Sequence, residues 1–204
     1  MAKSGGRRSD HYSRKARQSG FPARSVFKLE EIDKRCALLR PGLSVLDLGA
    51  APGSWLLYAA TQVGAQGRVW GVDLQRLTQP LPAHVHFLQA DVYDDMALQP
   101  VWQATPFDVV LSDMAPATSG HRDTDHLRSA ALVNRVQALA AQHLKSGGDL
   151  VAKFFDGAEF VAVRQSLRAT FEQVRIVKPR STRSESRELF FVAQGKRDPA
   201  TPLS

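Results

Sequence analysis

Apolar residues fall in short blocks separated by glycine, proline and polar turns, and the blocks alternate between two spacings. Compact apolar runs with β-branched and aromatic residues predict strands at Leu43 to Leu48, Arg68 to Val72, Val85 to Gln89 and Phe107 to Leu111. Asp149 to Phe155, Val174 to Val177 and Glu188 to Ala193 repeat the pattern, which makes seven strands. Between them the apolar positions recur at helical spacing. Val26, Leu29, Ile32, Ala37 and Leu38 form a stripe over Ser25 to Leu39, which Pro41-Gly42 stops. Further helices are expected at Ser54 to Val63, Asp94 to Trp102, Thr124 to Leu144 and Gly157 to Phe171, with Lys145-Ser146-Gly147-Gly148 closing the fourth. Strands alternating with helices predict an α/β, doubly wound and largely parallel sheet. Without internal repeat or linker, residues 21–197 read as one domain. Residues 1–20 read as a basic flexible arm, disordered or folding on a partner, and residues 198–204 as a frayed tail.

The chain has 204 residues, enough for a full-sized core. No apolar run approaches the length of a membrane span and no hydrophobic segment follows the basic N-terminus, so neither a membrane nor a secretory role is expected. Cys36 stands alone and reads as a small apolar residue, which fits a reducing cytoplasm. The net charge of +7 is uneven: residues 1–40 carry +7, residues 41–150 carry −4 and residues 151–204 carry +4. Basic ends around an acidic middle suggest a polyanion gripped at both ends. Arg7, Arg8, Arg14, Lys15, Arg17 and Arg24 are candidates for phosphates, as are Lys178, Arg180, Arg183 and Arg187, with Tyr12 and Phe21 for base stacking.

Candidate chemistry sits at strand ends. Val45-Leu46-Asp47-Leu48-Gly49-Ala50-Ala51-Pro52-Gly53-Ser54-Trp55 is an apolar strand, a small-residue turn and a helix start. In doubly wound folds that crevice receives nucleotide-like ligands. The spacing Gly49-x-x-x-Gly53 departs from the dinucleotide fingerprint. Asp73, Asp91 and Asp113 end successive strands, and together with Asp47 they favour an S-adenosylmethionine pocket over a nicotinamide one. Asp73 lies where a carboxylate accepts ribose hydroxyls, Asp91 within reach of an adenine amino group, and Asp113 near the methionine end. Lys153 and Glu188 bring charge to the rims of apolar strands, where it needs a partner or a task. The six histidines suggest no metal site: His121 and His126 flank a polar loop leading into a helix, and Trp70 and Trp102 read as structural.

From Arg24-Ser25-x-Phe27-Lys28-Leu29 through Asp47–Trp55, Ser112-Asp113-Met114-Ala115-Pro116 and Lys153 to Ser186-Arg187-Glu188, the chain resembles the FtsJ-type (RrmJ-like) ribosomal RNA 2′-O-methyltransferases. The resemblance implies a Rossmann-like S-adenosylmethionine-dependent methyltransferase fold with its last strand antiparallel. It also implies a Lys–Asp–Lys–Glu tetrad, here Lys28, Asp113, Lys153 and Glu188, and cofactor contacts at Gly53, Trp55, Asp73, Asp91 and Asp113. The implied substrate is the ribose 2′-hydroxyl of a uridine in large-subunit ribosomal RNA or the 50S particle, methylated by a cytoplasmic monomer. A tRNA or mRNA-cap ribose, a small molecule, or a non-catalytic assembly role are the alternatives. The chain departs from the family at Ser54, where a glycine is usual, and at Asp156, where the bacterial members usually carry Gln.

Overall fold

The structure, a computed structural model, describes residues 5–116, 122–182 and 186–198. Thirteen elements follow one another among these residues: α1 (Gly5–Gln18), α2 (Val26–Cys36), β1 (Ser44–Leu48), α3 (Ser54–Val63), β2 (Arg68–Asp73), β3 (Val85–Gln89), α4 (Gln99–Trp102), β4 (Phe107–Ser112), α5 (Arg122–His143), β5 (Leu144–Phe155), α6 (Phe160–Thr170), β6 (Phe171–Val177) and β7 (Glu188–Lys196). The strands form one seven-stranded sheet in the order β3-β2-β1-β4-β5-β7-β6. The first five strands are mutually parallel, and β7 runs antiparallel to both β5 and β6. This is the doubly wound sheet expected from the sequence, antiparallel last strand included.

Helices cover both faces because the parallel strands are apolar on both sides. One layer packs Leu29 and Ile32 of α2 and Leu56 of α3 on Val45, Val109, Val151 and Phe190. The other packs Val133, Val136 and Leu139 of α5 and Leu167 of α6 on Leu46, Val110, Leu150, Phe154 and Phe191.

Three local expectations change. Residues Gly5–Gln18, expected to be irregular, form helix α1. Ala16 of that helix is fully buried, and the Tyr12 ring lies 5.5 Å from the Phe27 ring of α2. Packing against α2 supplies the order that local propensity lacks. The segment expected to close the fourth helix instead opens β5: the helix ends at His143, and Phe107 pairs with Leu144 whereas Val109 pairs with Asp149. The intervening irregularity passes through Gly147 at φ 76°, so the glycine serves a bulge rather than a helix stop. The short helix α4 begins only at Gln99. Before it, Asp94 accepts from the N–H groups of Met96 and Ala97, and Pro100 occupies a first-turn position where its missing N–H costs nothing.

The topology decides where chemistry gathers. The parallel strands β1 to β5 all end at one edge of the sheet. Because β7 is antiparallel, its first residue, Glu188, arrives at that same edge opposite Phe155, the last residue of β5.

Candidate active site

Lys28, Asp113, Lys153 and Glu188 converge at this edge from four separate elements or their ends. Lys28 Nζ lies 2.7 Å from Glu188 Oε1 and 4.0 Å from Asp113 Oδ1. Lys153 Nζ lies 3.1 Å from Asp113 Oδ1 and also donates to the Asp113 carbonyl oxygen. The order is therefore Glu188, Lys28, Asp113, Lys153, with opposite charges alternating. Their side chains are only 8–17% exposed, so each charge needs the next one. Outer contacts fix the ends. Thr182 donates to Glu188 Oε1 at 3.3 Å, the Glu188 N–H donates to Ser186 Oγ at 3.2 Å, and Lys28 Nζ stands 5.8 Å from the centre of the Phe190 ring.

Next to the tetrad, on the β1–β4 side, opens a cleft of about 370 Å³. Asp73, Asp91 and Asp113 line it, with Gly49, Ala51, Tyr93, Met114 and Leu132 among the other walls. Turn chemistry presents the acids. Asp73 accepts from the N–H of Ala51 at 2.9 Å and of Gln75 at 2.7 Å, which ties the end of β2 to the turn after β1. Asp91 accepts from the N–H of Tyr93 at 2.9 Å. Both acids thus hold turns and still present carboxylate lone pairs to the cleft. Gly49 is required twice, by its φ of 81° and by Met114, whose Cγ would lie 2.3 Å from an added Cβ.

Beneath the cleft lies Asp47, fully buried, with neither carboxylate oxygen hydrogen-bonded. Burial, then the neighbouring Asp113 and Asp73 charges, push its carboxyl well above the usual range. A cleft with three carboxylates on its walls suits a cationic ligand that also offers hydroxyls. The residues present therefore fit S-adenosylmethionine, which carries a sulfonium, an ammonium and a ribose diol.

Two residues expected as cofactor contacts hold the turn rather than line the cleft. Gly53 is the N-cap of α3 at φ 107°, beneath Gln79, whose amide donates to the Pro52 carbonyl at 2.6 Å. The Trp55 side chain is buried: its Nε1–H donates to the Ser25 carbonyl at 2.9 Å and its ring lies 5.6 Å from that of Phe190. Ser54, at the position where a glycine is usual, exchanges hydrogen bonds with the backbone of Ala23. Together these contacts fasten the start of α3 to the start of α2, and hence to Lys28.

Sequence reasoning missed Met114, Tyr93 and Thr182. Met114 was legible as the neighbour of Asp113; Thr182 reaches Glu188 through a loop fold that no spacing announces. The aromatics expected to stack on bases point inward: Tyr12 packs on Phe27 and lies under the Arg24 guanidinium, and Phe21 packs against the core. Trp70 and Trp102 are structural, stacked on His86 and His143. His126 sits against Gly157. His121, Arg183 and the side chains of Arg7 and Arg8 lie outside the described residues.

An open α/β sheet ordered 3-2-1-4-5-7-6, with an acidic cleft at the strand ends and an antiparallel seventh strand, defines a Rossmann-like methyltransferase domain. Residues 21–196 match the model of the FtsJ-like methyltransferases, and the chain belongs to that family. It is similar to two proteins named ribosomal RNA large subunit methyltransferase E. That of Oleidesulfovibrio alaskensis is 47% identical, over 91% of this chain and 91% of the relative. That of Bdellovibrio bacteriovorus is also 47% identical, over 92% of this chain and 97% of the relative. A crystal structure from Plasmodium falciparum, described as a ribosomal RNA methyltransferase, superposes with a TM-score of 0.77 at 26% identity, covering 86% of this chain and 98% of that one.

Proposed function

We propose that this protein methylates the ribose 2′-hydroxyl of a uridine in large-subunit ribosomal RNA, with S-adenosylmethionine as donor. The observation that carries the reading is the alternating tetrad, which places a nearly buried lysine beside the acidic cleft. The names of the similar proteins support the choice of ribosomal RNA.

When bound, the cofactor supplies an electrophilic methyl group on a positively charged sulfur. Asp73 would hold its ribose hydroxyls and Asp91 its adenine end, while Asp113 faces both the cleft and the tetrad. Trp55 would contribute its main-chain N–H, in the first turn of α3, where no acceptor within the helix serves it, while Gly53, whose own N–H donates to the Ala50 carbonyl at 2.6 Å, would shape the turn beside it. Lys153 orients the attacking hydroxyl, and it is the uncharged amine form of Lys153 that takes the hydroxyl proton, becoming the ammonium that Asp113 holds as the oxygen becomes the nucleophile. Lys28 holds Glu188 on one side and faces Asp113 on the other, and Asp113 in turn fixes Lys153. Much of the rate comes from this positioning, since displacement at a methyl carbon requires the oxygen in line with the bond that breaks.

Lys153→Ala should lower transfer to RNA by about 10²- to 10⁴-fold while calorimetry shows unchanged S-adenosylmethionine binding. Near-normal transfer at saturating cofactor would remove Lys153 from this role. The target is tested by mapping ribose methylation in RNA from cells with and without the protein; an unchanged large-subunit pattern would overturn the ribosomal assignment.

A further inference from the structure

A second pocket, of about 210 Å³, lies at the end of β5 and the start of β7, the strands that carry Lys153 and Glu188, and is lined by Asp125, His126, Phe155, Asp156, Ser186 and Arg187. We propose that this pocket holds the base of the nucleotide whose ribose is methylated, with the Phe155 ring as its stacking surface. The inference rests on the RNA reading above and adds to it the site of base recognition.

Sheet geometry carries it. Side chains two apart on a strand share a face, so Phe155 points to the same side as Lys153 and lies about 6.6 Å further along β5. Phe155 pairs with Glu188 and Lys153 with Phe190 in the antiparallel ladder, so all four residues share that face. Along the sheet edge the cofactor cleft takes residues that follow β1, β2, β3 and β4, whereas the second pocket takes residues at the end of β5 and the start of β7 with two from α5. A nucleotide with its 2′-oxygen at Lys153 carries its base on the adjacent ribose carbon, about one strand step away. A methyl donor in the cleft at the ends of β1 to β4 leaves the pocket at β5 and β7 to the base.

The lining suits a nucleobase. Phe155 is half-buried at the rim, whereas Phe154, one residue earlier, is fully buried in the opposite layer. The Phe155 N–H donates to Ser129 Oγ at 3.0 Å and the Asp156 N–H to the Arg187 carbonyl at 3.1 Å, so the ring is carried on pinned backbone. Around it stand a carboxylate, Asp156, and an exposed guanidinium, Arg187. These offer an acceptor and donors to the mixed edge of a pyrimidine, and the volume is on the order of one such ring with attendant water. Tyr12 and Phe21 pack on α2 and the core, whereas Phe155 lines this pocket.

The test uses the full chain and its RNA substrate. Phe155→Leu keeps an apolar side chain of similar bulk and removes the π-face. It should raise KM for RNA about tenfold, with kcat lowered less, while cofactor affinity and Tm stay close to those of the unaltered protein. Phe155→Trp should retain transfer, and its added emission should be quenched when RNA binds. A leucine variant with unchanged KM, or a tryptophan variant blind to RNA, would overturn the base site alone and leave the methyltransferase reading standing. Absence of transfer to any RNA by the unaltered protein would overturn both.

Discussion

Asp47 shows how a single residue can oppose the fold that contains it. It sits one residue before the end of β1, paired in register with Gly71 and Leu111, where an apolar side chain would pack at no cost. Its carboxyl is fully buried and without hydrogen bonds, and burial, then the charges of Asp113 and Asp73, push its pKa well above the usual carboxylate range. In the unfolded chain the same carboxyl ionises near pH 4. Above that pH the folded protein binds the extra proton, so this residue makes stability fall as pH rises, until the folded carboxyl itself ionises. Asp47→Asn has no such proton to lose. Thermal unfolding from pH 4 to pH 8 should show the variant gaining stability relative to the parent as pH increases; parallel curves would contradict the assignment. That Asp47 belonged to an acidic pocket was legible from its place before the glycine turn. That it lies behind the cleft and lacks a partner was not, because both depend on strands β2 and β4 packed on either side.

At the scale of elements, the position of Lys28 depends on how α2 ends. Asp33 Oδ1 accepts from the N–H groups of Leu38 and Leu39 at 3.0 and 2.9 Å, and its Oδ2 accepts from the Tyr58 hydroxyl of α3 at 3.0 Å. One carboxylate thus caps the exit of α2 and fastens it to its neighbour. The bond has a signature in Tyr58, whose hydroxyl is driven well above its ordinary pKa by burial and then by the Asp33 charge. Asp33→Ala leaves three donors unmatched in or near the core and should cost about 3 kcal/mol in denaturant unfolding, with Asp33→Asn costing less because one acceptor survives. A loss below 0.5 kcal/mol for the alanine variant would mean that the cap carries little of this helix. The limits of α3 and β3 were readable because glycines and apolar runs mark their ends locally. The start of β5 was misread for a related reason: Lys145-Ser146-Gly147-Gly148 has the composition of a helix stop. Only pairing with β4, helped by the contact of Lys145 with Asp108, makes it a bulged strand. Helix α1 was missed because its polar sequence hides a narrow seam, Tyr12 and Ala16, that acquires meaning only against α2.

For the molecule as a whole, charge and shape point to one side. The N-terminal segment, with +7 over residues 1–40, and the late loop are brought together where Arg24 donates to the Ser181 carbonyl and the Arg180 N–H donates to Glu31 at 2.7 Å. The basic ends that flank an acidic middle in sequence are neighbours in space, both near the tetrad through Lys28 and Glu188. A polyanion following this surface would release counterions in proportion to the phosphates it pairs, which makes its affinity fall steeply with salt. Removing residues 1–20 takes away Lys3, Arg7, Arg8, Arg14, Lys15 and Arg17 but no tetrad or cleft residue. The truncated protein should bind S-adenosylmethionine as before. It should bind RNA at least tenfold more weakly at moderate salt, with a shallower slope of log affinity against log salt concentration, because fewer phosphates are neutralised. Equal affinity and equal slope would make α1 a packing helix whose charges serve solubility. Weaker binding with an unchanged slope would mean that α1 acts through α2 and the placement of Lys28, not through its charges.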